Sequence, residues 1–261
     1  MTPLDITFLR TSMLLLEYDG VRLLTDPWFG MVMRIVPVFR RPGIPLDRIP
    51  RLDGIVASHC HDDHFQRSAV ERLAHPALII AGTRGLAPYC DGLAVARVTE
   101  LAPWESTTIG PFRLTATPAV HTNPPPPEVN VVIETPEHTV FFGGDARWSH
   151  AYFEIADRFP RIDVALLPIG GTLIFGHRTT LGPADAVRVA NLLRPRWVIP
   201  IHEGGEWMPV PPASWHPGRN RHFVKELAAS GLPIAPCVLA PGETARFDGS
   251  ATFTRQRHPA A

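Results

Sequence analysis

A strand-rich α+β chain is the fold class this sequence predicts, on three observations. Short apolar runs of strand length recur from end to end, turn signals punctuate them, and in the second half they alternate with helical patterns. Residues 6–9, 13–18 and 21–24 open the chain as strands, and Asp19-Gly20 between the last two is a hairpin signal, so the start is a β-meander. Ile55-Val56-Ala57 is a buried strand, residues 69–73 a short helix, 78–81 another buried strand and 84–89 a second helical piece. Strands follow at 105–109, 112–117, 130–134 and 139–142. Helices at 152–158, 183–193 and 221–229 then alternate with strands at 164–167 and 198–201, where Pro183 suits a first helical turn and Gly231 a helix end. Each half thus reads as a run of strands passing into strand and helix alternation. No short-period repeat and no Gly- or Ser-rich linker divides the chain.

Composition narrows the classes of function. The 261 residues are 45% hydrophobic, as in an ordinary globular protein, and only the last few suggest disorder. Lys+Arg and Asp+Glu number 25 each, so no net field favours nucleic acid or an anionic membrane. Cys60, Cys90 and Cys237 are odd in number and widely spaced, which fits a reducing compartment better than a disulfide framework. The start of the chain lacks a basic region followed by an apolar run, and no stretch reaches the roughly 18 apolar residues of a membrane span. A cytoplasmic protein without stable membrane insertion is expected.

The chemistry concentrates in Ser58-His59-Cys60-His61-Asp62-Asp63-His64-Phe65, directly after a buried strand. Imidazole nitrogen and carboxylate oxygen are the donors that hold zinc and similar divalent ions, and a catalytic site leaves one coordination position open. His59 and His61, two residues apart as the chain leaves the strand, can converge on one ion, while Asp63 and His64 can face a second. Three more candidates end strands downstream: His121 after 112–120, Asp145 after Val140-Phe141-Phe142-Gly143-Gly144, and His202 after Trp197-Val198-Ile199-Pro200-Ile201. The two glycines before Asp145 allow a close backbone approach that a side chain would block. Cys60 alternates away from its histidine neighbours and is expected to pack in the core.

The order His-x-His-x-Asp-His at 59–64, then His121, then Gly144-Asp145, then Pro200-Ile201-His202 resembles the metallo-β-lactamase superfamily. Within it the chain is similar to the branch of ascorbate-6-phosphate lactonase and the N-acyl phosphatidylethanolamine phospholipase D relatives. Leu23-Leu24-Thr25-Asp26-Pro27-Trp28, Leu166-Leu167-Pro168-Ile169-Gly170 and Leu181-Gly182-Pro183-Ala184-Asp185-Ala186 also match, so the likeness runs from about residue 6 to 247. It implies a four-layer αββα sandwich, one domain over 1–261 in two pseudo-repeated halves with 250–261 as a flexible tail. It implies His59, His61 and His121 on a first metal, Asp63, His64 and His202 on a second, and Asp145 bridging them. Asp63 and Asp145 are then the catalytic carboxylates, and Asp26 resembles a carboxylate that orients a ligand imidazole, or is a turn residue before Pro27. Asp62 falls at a variable position and is left out, and Ala146 stands where relatives often carry Thr or Ser.

The expected activity is hydrolysis of a lactone, ester or phosphodiester in a small molecule by water activated between two divalent ions, zinc first, with manganese or iron also suited to these donors. The alternative is a metal-binding scaffold without hydrolytic turnover, in a biosynthetic or regulatory role. Glu203, His177 and Arg178 are positioned as candidates to protonate the leaving group. Loops at 29–50, carrying Met31, Met33, Ile35, Val36 and Phe39, and at 203–220, carrying Trp207 and Trp215, together with Pro124 to Pro127, roof the site. Their apolar character suits a greasy substrate pocket or, alternatively, the interface of a homo-oligomer. The 29 prolines favour rigid loops.

Overall fold

A computed structural model describes residues 1–31, 37–122, 127–250 and 252–258. In chain order come β1 (Leu4–Arg10), β2 (Met13–Tyr18), β3 (Val21–Thr25), β4 (Gly54–Ala57), α1 (Arg67–Leu73), β5 (Ile79–Thr83) and β6 (Arg97–Leu101). Next come β7 (Ser106–Ile109), β8 (Phe112–Pro118), β9 (Val129–Glu134), β10 (Thr139–Phe142), α2 (Ala151–Arg158) and β11 (Val164–Pro168). The short strands β12 (Leu173–Ile174) and β13 (His177–Arg178) precede α3 (Pro183–Leu193), β14 (Trp197–Ile201), β15 (Ser214–Trp215) and α4 (Asn220–Ser230). The chain closes with β16 (Ala235–Pro236), β17 (Glu243–Phe247) and β18 (Thr254–Arg257).

Eight strands form one sheet in the order β18-β17-β1-β2-β3-β4-β5-β6, and seven form a second in the order β16-β14-β11-β10-β9-β8-β7. The alternation of each strand sends one apolar face inward, where Leu16, Val56 and Ala81 of the first sheet meet Leu114, Val131, Phe142 and Ile199 of the second. Aromatic pairs cross the same seam, Tyr18 with Phe112 at 6.1 Å and Trp197 with Phe247 at 5.0 Å between ring centroids. The outer face of the first sheet buries Leu15, Ile55 and Ile80 against Val70 of α1. That of the second buries Phe141, Leu167 and Val198 against Ile155, Val189 and Phe223 of α2, α3 and α4. The layers are therefore αββα, as the sequence predicts. Each fully buried aliphatic or aromatic side chain contributes about 1.5–3 kcal/mol, so these three apolar interfaces fix how the sheet edges face each other.

Local signals account for most boundaries. Asp19 and Gly20 both take positive φ, 49° and 75°, as the turn between β2 and β3 requires. Pro183 starts α3, and Gly231, at φ 67°, ends α4. Three expectations are corrected. Residues 84–89 are not a helix: Gly85 turns at φ 85° and only Ala87–Cys90 forms a single 3-10 turn. A further strand, β6, follows, pairing in parallel with β5. The segment expected as a tail from 250 carries β18, which pairs antiparallel with β17, and β17 in turn pairs with β1 in the register Leu4 to Phe247. β17 reads poorly in sequence because its partner β1 lies at the other end of the sequence, and β6 and β18 because their exposed faces are charged.

Candidate metal centre

Every predicted donor sits where a strand stops. In the first sheet β3 and β4 run parallel, and their C-terminal ends deliver Asp26 and Ser58-His59 side by side, with the Asp26 amide donating to Val56 O at 2.9 Å. In the second sheet β10, β11 and β14 are parallel, and their ends deliver Asp145, Ile169 and His202. Ligand sites collect at the carboxyl edge of such strands because the chain leaves the sheet there with its side chains free to converge. Gly144, with φ 53°, lets Asp145 reach the opposite sheet: a Cβ there would lie 2.8 Å from Ser58 Cβ.

The structure brings all seven predicted donors into one buried cluster. His59, His61 and His121 offer ligand atoms within 4.8 Å of one another, as do Asp63, His64 and His202, and as do His59, His64 and Asp145. Asp145 lies between the two triads, its Oδ2 3.5 Å from His121 Nε2 and 3.9 Å from His64 Nε2, its Oδ1 3.4 Å from His202 Nε2. Burial, reinforced by the neighbouring imidazoles, holds His59 and His202 well below the usual histidine range and His121 at about 4, so these rings are neutral, the form that coordinates metal. Burial pushes the Asp145 carboxyl up to about 8, a sign that an adjacent cation reverses. His64 Nε2 and His202 Nε2 are buried with no hydrogen-bond partner among the described residues. Buried nitrogens are seldom left unpaired, and two that face shared carboxylates fit a divalent cation.

The donors are held from behind. Asp26, 1% exposed, accepts hydrogen bonds from the Ser58 amide at 2.8 Å and the Ser58 hydroxyl at 2.7 Å, and its Oδ2 lies 2.6 Å from His64 Nδ1. Burial alone would lower the His64 pKa, but the Asp26 charge and hydrogen bond raise it to about 10. With Nδ1–H given to Asp26, Nε2 is the atom that faces the cluster, and a metal there would displace the proton that this raised pKa keeps on it. The resemblance therefore placed Asp26 correctly against an imidazole, and the turn reading holds as well, since its φ is 38°. His121 Nδ1 lies 3.0 Å from both Asp145 O and Thr179 O, which turns its Nε2 inward. The His202 amide donates to Thr11 O at 2.9 Å, and Thr11 is itself held by the buried carboxylate of Glu206.

Two residues that sequence reasoning missed act directly on Asp145. Thr180 donates its hydroxyl to Asp145 Oδ1, supplying from another loop the hydrogen bond that Ala146 cannot. Glu128 accepts the Asp145 amide at 3.0 Å and stands 3.8 Å from His59 Nδ1. An acidic residue immediately before the largely buried strand β9 was the available signal. Burial, then the Asp145 charge, pushes the Glu128 carboxyl well above its usual range, so it is a neutral acid. Glu128→Gln keeps the accepting oxygen and is expected to cost no more than about 1 kcal/mol in thermal melts. A tenfold loss of metal affinity would show instead that the ionised form is required.

Other expected residues separate. Cys60 turns away, its Sγ 3.9 Å from Gly85 O, and burial pushes its thiol up to about 12. Asp62 is exposed. Glu203 is engaged elsewhere, accepting the Asn220 amide at 2.8 Å and pairing with Arg40 at 2.9 Å, which removes it as a leaving-group acid. The roofing loops meet, since Phe39 N donates to Glu206 O at 2.7 Å and Met208 N to Pro37 O at 3.0 Å. Trp207 is buried beside His202 with its indole N–H on His216, whereas Trp215 is 49% exposed. Met33, Ile35, Val36 and Pro124 to Pro126 lie outside the described residues.

Two sheets packed face to face, with imidazoles and carboxylates gathered where their edges meet, define a metallo-β-lactamase fold. The Beta-lactamase superfamily domain matches residues 21–202, and the chain belongs to that family. A UPF0173 metal-dependent hydrolase of Opitutus terrae is 31% identical over 255 residues, covering 92% of this chain and 98% of that protein. Among solved structures, Igni18, a metallo hydrolase of the archaeon Ignicoccus hospitalis, superposes with a TM-score of 0.73 at 21% identity, covering 95% of this chain and all of its own. The diiron β-hydroxylase CmlA of Streptomyces venezuelae gives 0.72 at 17% identity, covering 98% of this chain and 54% of that one. At such identities the likeness is one of fold.

Proposed function

We propose that this protein is a metal-dependent hydrolase whose centre takes two divalent ions and cleaves a lactone, ester or phosphodiester bond in a small molecule. The observation that carries this reading is the pair of donor triads on either side of Asp145, with His64 Nε2 and His202 Nε2 left unpaired between them. His59, His61 and His121 would hold one ion, Asp63, His64 and His202 the other, and Asp145 both. Ions so held would supply hydroxide near neutral pH and polarise the bond under attack. The chain's own part is to keep the His59, His121 and His202 imidazoles neutral, to aim the rings through Asp26, Thr179 and Thr11, and to hold Asp145 through Thr180 and Glu128. Asp63 is raised by burial, but the surrounding imidazoles outweigh this and hold it below the usual range, so it stays ionised as a ligand.

Zinc suits this donor set best, with manganese and iron as alternatives. Elemental analysis of protein purified without chelator is expected to find about two ions per chain. None after supplementation would end the hydrolase reading. A panel of chromogenic lactones, carboxylate esters and bis(4-nitrophenyl) phosphate, run with zinc and with manganese, separates a lactonase from a phosphodiesterase. A non-hydrolytic role is the second reading, favoured by the shared fold of a β-hydroxylase, and a flat panel with both metals loaded supports it.

A further inference from the structure

A cavity of about 590 Å³ opens beside His121, walled by Arg147, His177, Arg178, Ile174 and Phe175. Among the described residues, no acidic side chain lines it. Neither arginine side chain has a hydrogen bond or ion pair with any described residue, unlike Arg40 and Arg246, which are paired with Glu203 and Asp5.

We propose that this cavity takes the oxyanion end of an acid-bearing substrate, a carboxylate or phosphate monoester anchored by Arg147 and Arg178, with Phe175 a platform for its apolar part. The proposal rests on the hydrolase reading above in placing the bond to be cut at the adjoining metal cluster. Two guanidinium groups facing one space repel each other, and a shared anion with planar oxygens relieves that repulsion through paired N–H bonds. Arg178 is seated for this role: a Cβ at Gly182 would lie 2.5 Å from its Nη1, and one at Gly171 2.9 Å, so both glycines leave room for the guanidinium. The residues that follow it are joined to the metal cluster, since Thr179 O meets His121 and Thr180 holds Asp145. An anion on Arg178 is thereby held at a fixed position relative to the ligands. The Arg178 guanidinium offers a fork of N–H donors and no acceptor, which suits it to hold an oxyanion.

Phe175 supplies the second, independent feature. It stands at the tip of the β12–β13 hairpin with φ 46°, followed by Gly176 at φ 80°, and is 70% exposed. Two-residue hairpins of this shape favour Asn-Gly, and a bulky side chain at positive φ is strained. Strain kept at the mouth of a cavity points to a binding use for the ring.

Isothermal titration calorimetry on the metal-replete full-length protein tests this with phenyl phosphate, benzoate and benzyl alcohol. At least one anion is expected to bind about tenfold or more tightly than benzyl alcohol, and the comparison of the two shows which oxyanion the site prefers. Arg147→Gln and Arg178→Gln should each weaken that anion about tenfold, with Lys at either position restoring part of the loss. Equal affinity in the Gln variants, absence of anion binding, or equal binding of benzyl alcohol would overturn the proposal. Phe175→Asn should raise the melting temperature and weaken phenyl phosphate while leaving inorganic phosphate unchanged, and unaltered phenyl phosphate affinity would remove Phe175 from the site. Failure of the hydrolase reading registers separately, as no turnover on the substrate panel with these titrations intact.

Discussion

Asp145→Ala is expected to abolish hydrolysis and to strip the cluster of metal while the fold persists. The carboxylate is 5% exposed and lies within 4 Å of His64, His121 and His202, so no other side chain can join the two triads. Residues that merely support metal ligands change affinity by about 10–100-fold, and loss of a donor shared by both triads should exceed that range. Elemental analysis should read well below two ions per chain, with the cooperative melt retained in the presence of chelator. Retention is expected because the core faces between the sheets contain none of the donors. An active, metal-replete variant would remove Asp145 from the bridging position.

Asp26→Ala should be the most damaging change that touches no ion. Its carboxylate is the partner of three groups, the Ser58 amide, the Ser58 hydroxyl and His64 Nδ1, and both Ser58 and His64 are completely buried. Breaking a buried charged pair leaves its partners unsatisfied and costs about 3–5 kcal/mol. Metal affinity should fall about 10–100-fold in addition, because His64 loses the contact that selects its tautomer. Asp26→Asn retains one accepting oxygen and is expected to fall between Ala and wild type. Equilibrium denaturation and metal competition report the two effects separately, and a variant within 1 kcal/mol of wild type would show that water can replace the carboxylate.

The donors were legible in sequence because the fold concentrates them locally. Four of them fall at His59, His61, Asp63 and His64, immediately after β4, and the rest follow apolar runs whose ends mark the carboxyl edge of a sheet. The supporting residues were less so. Thr180, Glu128 and Glu206 meet the cluster only after two sheets have packed, and an isolated Thr or Glu in a loop carries no period or spacing to betray it. Ala146 illustrates the difficulty: the missing hydroxyl at that position suggested a lost hydrogen bond, and the bond is supplied 35 residues away by Thr180. Helix 84–89 failed for a local reason, Gly85 at positive φ, whereas β17 was missed for a distant one, since its pairing with β1 rewards a partner that sequence windows never contain.

The pairing of β17 with β1 has a consequence for the order of events during synthesis. β1 ends at Arg10, next to Thr11 whose carbonyl holds the His202 amide, yet one flank of β1 is covered only by residues 243–247. A nascent chain carrying every metal donor through His202 still presents that flank as an open row of amides and carbonyls, a template for pairing with another chain. Assembly of the centre therefore waits on residues 243–247, which are synthesised after the last of the donors. Chains stopped short of residue 243 should accumulate as aggregates, in proportion to how long β1 stands without its neighbour.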